Sequence, residues 1–387
     1  MSAITERDSS FVASTYGRFN VELASGKGAM LYDTNGKEYV DFGAGIAVNT
    51  FGAADDEWIN AVVAQLHKIQ HTSNLYYSEP CTLLAEELCR KTGMKKVFFS
   101  NSGAEANECA IKVARKYYSD SHDGQEGEII TLVNSFHGRT VTTLTATGQD
   151  VFHKSFGPFP KGFKYCKANA CDELRSLIDE KTAAVMVEIV QGEGGVNALE
   201  KEFVECIKTE AEKNGFLIIV DEVQTGNGRT GKYFAYEHFG LKPDIVSTAK
   251  GLGGGLPLGA TVLGERVADT LKPGDHGSTF GGNPVACAGA LSIIRRIDEK
   301  LLKEVSEKGD YIKQKLLGFK NVKSVSGLGL MIGIEVEKNA SDIANECIEK
   351  GVLVLTAKTK IRLVPPLNIT YSQIDKALDT FKEIVEK

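Results

Sequence analysis

Phe216-Leu-Ile-Ile-Val-Asp221-Glu222-Val223-Gln224 and Ser247-Thr-Ala-Lys250-Gly-Leu-Gly-Gly-Gly-Leu-Pro-Leu-Gly259 decide how this chain is read. The first is an apolar strand that ends in an acid. Such an ending sets a carboxylate at the C-terminal edge of a sheet, where open α/β folds bind their ligands. In the second, the run Asp244 to Ser247 ends within three residues of a lysine, and four of the next five residues are glycine. Glycines there let the backbone pass close to a bound group and leave the lysine stem free to swing. A third stretch, Val97-Phe-Phe-Ser100-Asn101-Ser102-Gly103-Ala104-Glu105-Ala106-Asn107, reads as strand, small polar turn and helix. The N–H groups that open such a helix, with the Ser102 hydroxyl, suit an anion.

A lysine and an acid, each just past a parallel strand, with an anion turn nearby, is the layout that pyridoxal 5'-phosphate requires. The lysine supplies the amine for the aldehyde, and the acid keeps the pyridine nitrogen protonated so that the ring accepts electrons. Two other readings fit less well. Gly226-Asn-Gly-Arg-Thr-Gly231-Lys232 has P-loop spacing, but Tyr233 stands where a magnesium-holding hydroxyl is needed. Gly251 to Gly255 lacks the G-x-G-x-x-G spacing of a dinucleotide-binding dehydrogenase.

Outward from these stretches, short apolar runs alternate with helical segments. The runs are Lys96 to Phe99, Glu128 to Val133, Ala184 to Val190, Phe216 to Val220, Asp244 to Ser247 and Ala260 to Leu263. Runs apolar on both faces, separated by helices, predict a mostly parallel sheet covered on each side. Gly26-Lys-Gly-Ala-Met-Leu-Tyr-Asp33 and then Asn35-Gly-Lys-Glu-Tyr-Val-Asp-Phe42 read as two short strands around a turn at Asn35-Gly36. From Glu57 on, Ile59, Val62, Val63, Leu66 and Ile69 keep helical spacing. The last hundred or so residues change character, with strands near Leu330 to Val336 and Val352 to Leu355 and a closing helix carrying Ile374, Leu378, Phe381 and Val385. The expectation is an α/β chain. Residues 1–54 form an N-terminal segment of the small domain, 55–283 a large cofactor-binding domain, and 284–387 a smaller, discontinuous α+β domain.

Length points to more than one structural unit. A net charge of −6 with no basic run speaks against a nucleic-acid surface. The start, Met-Ser-Ala-Ile-Thr-Glu-Arg-Asp, has neither a secretory apolar segment nor an Arg-rich transit pattern, so a cytoplasmic location is expected. Apolar stretches are strand-length, far short of a membrane span. The eight cysteines are scattered without zinc-site spacing, which predicts free thiols in a reducing compartment and no metal.

In their order and spacing, several motifs resemble the class III aminotransferases of fold type I. They are Asp41-Phe-Gly-Ala-Gly-Ile-Ala-Val-Asn49, Ser102 to Asn107, Phe136-His-Gly-Arg139-Thr140, Gln191-Gly-Glu193-Gly-Gly195, Asp221 to Gly226, Gly228-Arg-Thr-Gly231, Lys250 with its glycines, His276 to Pro284, and Arg362-Leu-Val-Pro-Pro366. The resemblance runs over nearly the whole chain. It implies that Lys250 binds pyridoxal phosphate covalently and, once released, moves the proton. It implies that Asp221 pairs with the pyridinium nitrogen, that Gln224 bonds the phenolic oxygen, and that Phe136 and Val223 lie on the two ring faces. Ser102, Gly103 and Ala104 would cradle the phosphate, and Thr279 would reach it from a partner subunit, which makes the enzyme a homodimer. No nucleic acid or membrane partner is implied.

The same resemblance assigns the substrate contacts. Arg139 would hold the distant carboxylate of the amino donor and the γ-carboxylate of 2-oxoglutarate. Arg362 would clamp the α-carboxylate of glutamate, and Glu193 would cover Arg362 when no α-carboxylate is present. A planar guanidinium suits such bidentate binding. Tyr16 aligns with a family tyrosine near the substrate carboxylate. The motifs lean toward the branch that acts on the δ-amino group of N-acetylornithine; ornithine, succinylornithine and 4-aminobutyrate relatives share most of them. One segment departs from the family. Where a Gly-His-x-His-Pro run is usual, this chain has Phe51-Gly-Ala-Ala-Asp-Asp56, in which Asp55 or Asp56 can cap the next helix.

Overall fold

The computed structural model describes residues 2–387. Its centre is a seven-stranded sheet in the order Lys96–Ser100, Gly259–Leu263, Ile245–Thr248, Leu217–Asp221, Thr182–Val187, Glu128–Leu132, Phe163–Cys166. Six of the seven strands run in the same direction; Gly259–Leu263 is antiparallel to both its neighbours. The expected runs form strands within a residue or two, except that Thr182–Val187 stops before Glu188, and Val190–Gln191 pairs separately. Phe163–Cys166 is an edge strand that the apolar pattern does not announce, because its four residues include Lys164 and a partly exposed Tyr165.

Alternation along each strand divides the interior. Leu217 and Ile219 face one core, together with Ala184, Met186 and the inner face of helix Gly103–Ser121. Ile218 and Val220 face the other, with Val185, Val187 and helix Lys201–Asn214. A two-residue side-chain period sends neighbours to opposite faces, and both faces here are covered, so every residue of the strand is apolar until Asp221. Each such buried aliphatic side chain is worth roughly 1.5–3 kcal/mol. The strand end is therefore held firmly, and the acid that follows it inherits that position.

A second core lies against the C-terminal part of the chain. Strands Val322–Leu328, Met331–Val336, Lys360–Leu363 and Leu355–Ala357 form a four-stranded sheet. Ile374, Leu378, Phe381 and Val385 of the closing helix Tyr371–Val385 are buried in that core. The N-terminal strands Met30–Asp33 and Glu38–Asp41 pair around the Asn35-Gly36 turn, and Val352–Leu353 joins them in parallel. The two ends of the chain thus share one sheet. Helix Pro284–Ile294, however, packs into the first core through Ala286, Cys287, Ala290 and Ile293. The next helix, Glu299–Leu317, places Val305, Ile312 and Leu316 in the second core.

Among the described residues no helix is long and apolar enough to cross a membrane, and all eight cysteines are free. In the departing segment, Asp55 caps helix Asp56–Leu66 by accepting from the Trp58 amide at 3.3 Å. Its carboxylate also takes a two-pronged bond from Arg296 (3.0 and 2.5 Å), whose guanidinium lies 4.0 Å over the Phe51 ring. Phe51 and Asp55 together hold one arginine, which is a local structural role.

Candidate active site

The C-terminal ends of the central strands open into a cavity of about 420 Å³. Ser102, Gly103, Ala104, Phe136, Arg139, Glu193, Asp221, Val223, Gln224 and Lys250 all line it. Arg362, from strand Lys360–Leu363 of the small sheet, stands behind Glu193 and Gln224. Thr279 and Tyr16 are not brought there. Thr279 is exposed beside Tyr76 and Tyr77 in a separate hollow, and Tyr16 is 73% exposed with Arg18 over its ring.

Lys250 follows strand Ile245–Thr248 and adopts a left-handed backbone conformation (φ 46°) at the start of a tight turn. A non-glycine residue there stores strain that surrounding contacts must hold. The Thr50 hydroxyl donates to the Gly251 carbonyl (2.8 Å), Trp58 Nε1 to the Gly253 carbonyl (3.0 Å), and Asn227 Nδ2 to the Ala249 carbonyl (3.3 Å). The glycines serve this packing. A Cβ on Gly253 would lie 2.2 Å from the Leu256 carbonyl oxygen, and one on Gly251 would lie 2.8 Å from the Thr50 hydroxyl. Lys250 is surrounded by protein although its side chain is partly open to the cavity. Burial pushes its ammonium down to about 8, against the opposing charge of Glu193 and with the help of Arg362.

Asp221 is 3% exposed and fully engaged. Its Oδ2 accepts from Asn107 Nδ2 (2.7 Å) and pairs with His137 Nδ1 (2.8 Å), while Oδ1 accepts from the Val223 amide (3.0 Å). Asn107 is oriented in turn by Ser247, whose hydroxyl donates to Asn107 Oδ1 at 2.5 Å. Burial lowers the His137 pKa, but the hydrogen bond and charge of Asp221, with the charge of Glu188, outweigh it, and the net shift is upward. His137 Nε2 is buried without a partner. Neither Asn107, His137 nor Glu188 was singled out by sequence reasoning. The signal was there, since Asn107 and His137 sit inside motifs already quoted and Glu188 ends a buried strand as Asp221 does.

At the anion turn, Ser102 caps helix Gly103–Ser121. Its hydroxyl accepts from the Glu105 amide (3.2 Å) and donates to the Glu105 carboxylate (2.9 Å). That carboxylate also takes the Asn101 amide (3.0 Å). Gly103 has to be glycine, since a Cβ there would lie 2.6 Å from Val223 Cγ1. The helix start therefore meets Val223 closely across the cavity. At the mouth, Val48 is set by a turn in which Ala44, Gly45, Ile46 and Ala47 all have positive φ. The turn is tied down by Asp41 Oδ1, which accepts from the Gly43 and Ala44 amides at 2.8 Å.

The two arginines expected to bind carboxylates are in different states. Arg139 is exposed, with its guanidinium 5.6 Å above the Phe136 ring and 4.3 Å above Phe152. Arg362 is 3% exposed; Nη1 donates to Glu193 Oε1 (2.5 Å) and to Gln224 Oε1 (3.0 Å), and its Nε is an orphan. Burial raises the Glu193 pKa, but the charge and hydrogen bond of Arg362 more than reverse it, so this carboxyl is held below its ordinary range. One arginine is thus exposed at the cavity and the other is covered by an acid that lines it.

The class-III aminotransferase family profile matches residues 11–385 of this chain. The chain is a class-III aminotransferase. The acetylornithine aminotransferase of Haemophilus ducreyi is 48% identical over 99% of this chain and 98% of its own length. That of Methanocaldococcus jannaschii is 46% identical over 95% and 94%. Among solved structures, the ornithine aminotransferase of Toxoplasma gondii superposes with a TM-score of 0.94 at 31% identity, covering 99% of this chain and 94% of that one. The N-acetylornithine aminotransferase of Stenotrophomonas maltophilia gives 0.83 at 35% identity, covering 96% of both. The fold is that of a fold type I aminotransferase. For this aminotransferase the P-loop alternative fails on structure as well. Arg229 is buried and donates to the carbonyls of Leu330 and Pro365, and the helix a P-loop needs is replaced by a short turn at Ala235–Phe239.

Proposed function

We propose that this aminotransferase moves the δ-amino group of N-acetylornithine to 2-oxoglutarate, with pyridoxal 5'-phosphate as cofactor, in two half-reactions that share one site. The observation that carries the reading is an exposed Arg139 and an acid-covered Arg362 at the same cavity as Lys250. Two amines of different shape must present to one lysine. N-acetylornithine brings a terminal amine with its carboxylate far away, and glutamate brings an α-amine with its carboxylate adjacent. The names of the relatives at 48% and 46% identity favour the acetylated donor over ornithine.

The cavity residues fit the cofactor. Asp221, held by Asn107 and His137, offers a fixed carboxylate on its floor. Gly103 admits the helix start beside Val223, so the first amides of a long helix face the place where a phosphate would sit. When bound, the cofactor supplies an aldehyde that carries the amino group and a ring that accepts electrons.

The chain's own residues do the rest. Lys250, with its pKa brought down to about 8, holds or moves the proton at the substrate carbon that bears the amine. Asp221 would keep a proton on the ring nitrogen of a bound cofactor, and Phe136 and Val223 would flank its ring. Arg139 anchors the far carboxylate of either substrate, and Arg362 receives the α-carboxylate of glutamate once Glu193 yields. Gln224, expected at the phenolic oxygen, here bridges Arg362 and Glu193. We read it as the link between cofactor and arginine.

Thr279 is assigned to a homodimer. Thr279 shares its exposed hollow with Tyr76 and Tyr77, and the neighbouring Leu75 and Phe280 are 86% and 59% exposed. Large apolar side chains clustered on a surface mark an interface, and a second copy covering them would bring Thr279 toward the partner's phosphate site. The eight free thiols fit a cytoplasmic location. The test is a panel of amines with 2-oxoglutarate, scored by kcat/KM, alongside the visible colour of the purified protein, which a bound pyridoxal group would make yellow. N-acetylornithine should lead. A higher kcat/KM for ornithine or 4-aminobutyrate overturns the substrate, and a colourless protein that gains nothing from added cofactor overturns the chemistry.

A further inference from the structure

Two acids end neighbouring strands of the main sheet. Val187 and Val220 are register partners, so Glu188 stands beside Asp221. Glu188 is 6% exposed, lines the cavity, and has no part in the reading above. A buried carboxylate without a directly bonded cation is costly unless its oxygens are well used. Here both are used on backbone. Oε2 accepts from the Phe136 amide at 2.9 Å, and Oε1 accepts from the Gly192 amide at 3.4 Å. Phe136 opens the turn that ends in Arg139, and Gly192 immediately precedes Glu193. One side chain thus spans the stacking turn and the turn that covers Arg362.

We propose that Glu188 is a positioning residue that couples the Phe136 turn to the Glu193 turn, so that cofactor seat and arginine cover keep a fixed spacing over Lys250. Its consequence for catalysis rests on the proposed function, but the coupling is a property of the protein alone. The charged groups around it are His137 and Asp221, with Lys250 across the cavity. None of them substitutes for an acceptor aimed at these two amides. A rear link from Gln191 Nε2 to the Val133 carbonyl (2.9 Å) keeps the segments adjacent when Glu188 is changed, so a variant loses coupling without losing the fold. Chemistry separates the substitutions. Glutamine keeps one acceptor oxygen and must release one of the two turns; alanine releases both.

Hydrogen-exchange mass spectrometry on the cofactor-free protein tests this directly. In Glu188→Ala, peptides spanning 134–139 and 190–195 should both exchange about tenfold faster, the order expected for one lost hydrogen bond each. In Glu188→Gln only one of them should. Peptides spanning 217–221 should not change in either variant. Unchanged exchange in both turns, or a uniform acceleration across the whole chain, overturns the coupling; if the alanine variant does not fold, the glutamine variant decides by the same measure. In the cofactor-loaded enzyme, Glu188→Gln should alter KM for glutamate and for the amine donor unequally, and equal changes would also count against it. Because exchange is read without cofactor or amine, failure of the substrate panel leaves this result intact.

Discussion

Removing the cover from Arg362 is the most direct test of how one site serves two amines. In Glu193→Ala, the Arg362 side chain, 4% exposed, keeps only Gln224 Oε1 at 3.0 Å as a partner for Nη1. Exposed ion pairs are worth about 0–1 kcal/mol, and loss of one partner from a buried pair costs about 3–5. With Glu193 at 31% side-chain exposure and Arg362 nearly enclosed, this pair falls between, near 2 kcal/mol. At about 1.4 kcal/mol per tenfold, that is a factor of roughly 30. Glutamate no longer has to displace an acid, so its half-reaction should gain in apparent affinity by up to that factor. The acetylated donor should lose, because the bare guanidinium draws its α-carboxylate inward and carries the δ-amine away from Lys250. Rapid-mixing absorbance on the cofactor-loaded enzyme, one amine at a time, measures each half-reaction. The ratio of the two specificities should shift toward glutamate by about 30-fold. Equal losses with both amines, or no change in the ratio, would refute the gating argument and leave Glu193 as a structural partner of Arg362.

Three further outcomes are expected. Capture of pyridoxal phosphate by the cofactor-free protein, trapped with borohydride and mapped by peptide mass, should label Lys250; its rate should rise with pH up to about 8 and then level off, because the neutral amine reacts and burial has lowered its pKa to that value. A rate still climbing toward 10.5, the ordinary lysine value, would show that the amine is not desolvated. Asp221→Asn should fold and retain cofactor but lose two to three or so orders of magnitude in kcat, the scale of removing a preorganised charge from an enclosed site, and an asparagine variant within a few-fold of wild type would reduce Asp221 to a structural cap. Glu222 is fully buried and burial pushes its carboxyl from 4.5 up to about 7, despite bonds from Thr225 (2.5 Å) and the Tyr236 amide (2.9 Å). The folded state binds that proton more tightly than the unfolded chain, so its contribution is present below pH 4.5 and is lost as pH rises to about 7, an upper limit of about 3 kcal/mol. The Tm of the cofactor-free protein should therefore fall between pH 5 and 8, and Glu222→Gln should flatten that slope; an unchanged slope would place the pH dependence elsewhere.

Much of the site could be read before any fold was known, and the limits of that reading have a physical cause. Strands that end in Asp221 and just before Lys250, the capped helix after Ser102 and the buried face of the closing helix are written in local periods of two and 3.6 residues. Those periods survive in one dimension because each is a property of neighbouring residues. The short strands Phe163–Cys166, Val322–Leu328 and Lys360–Leu363 escaped notice, since short or half-exposed strands carry little alternation of their own. The use of the glycines after Lys250 was also hidden, because what they pack against, Thr50 and Leu256 among others, is set by the folded chain. The same holds for the placement of Asp221 beside Glu188 and its bond to His137, which depend on the register between strands and on a turn 84 residues away from Asp221. The resemblance implies a carboxylate-binding role for Arg362, yet its burial and its bond to an acid 169 residues distant were not derivable from composition or spacing. Local sequence determines which segments become strands and helices and which chemistry stands at their ends. Only tertiary packing decides which ends meet, because register and docking are settled by burying surfaces far apart along the chain, and that same burial sets the pKa values on which the chemistry depends.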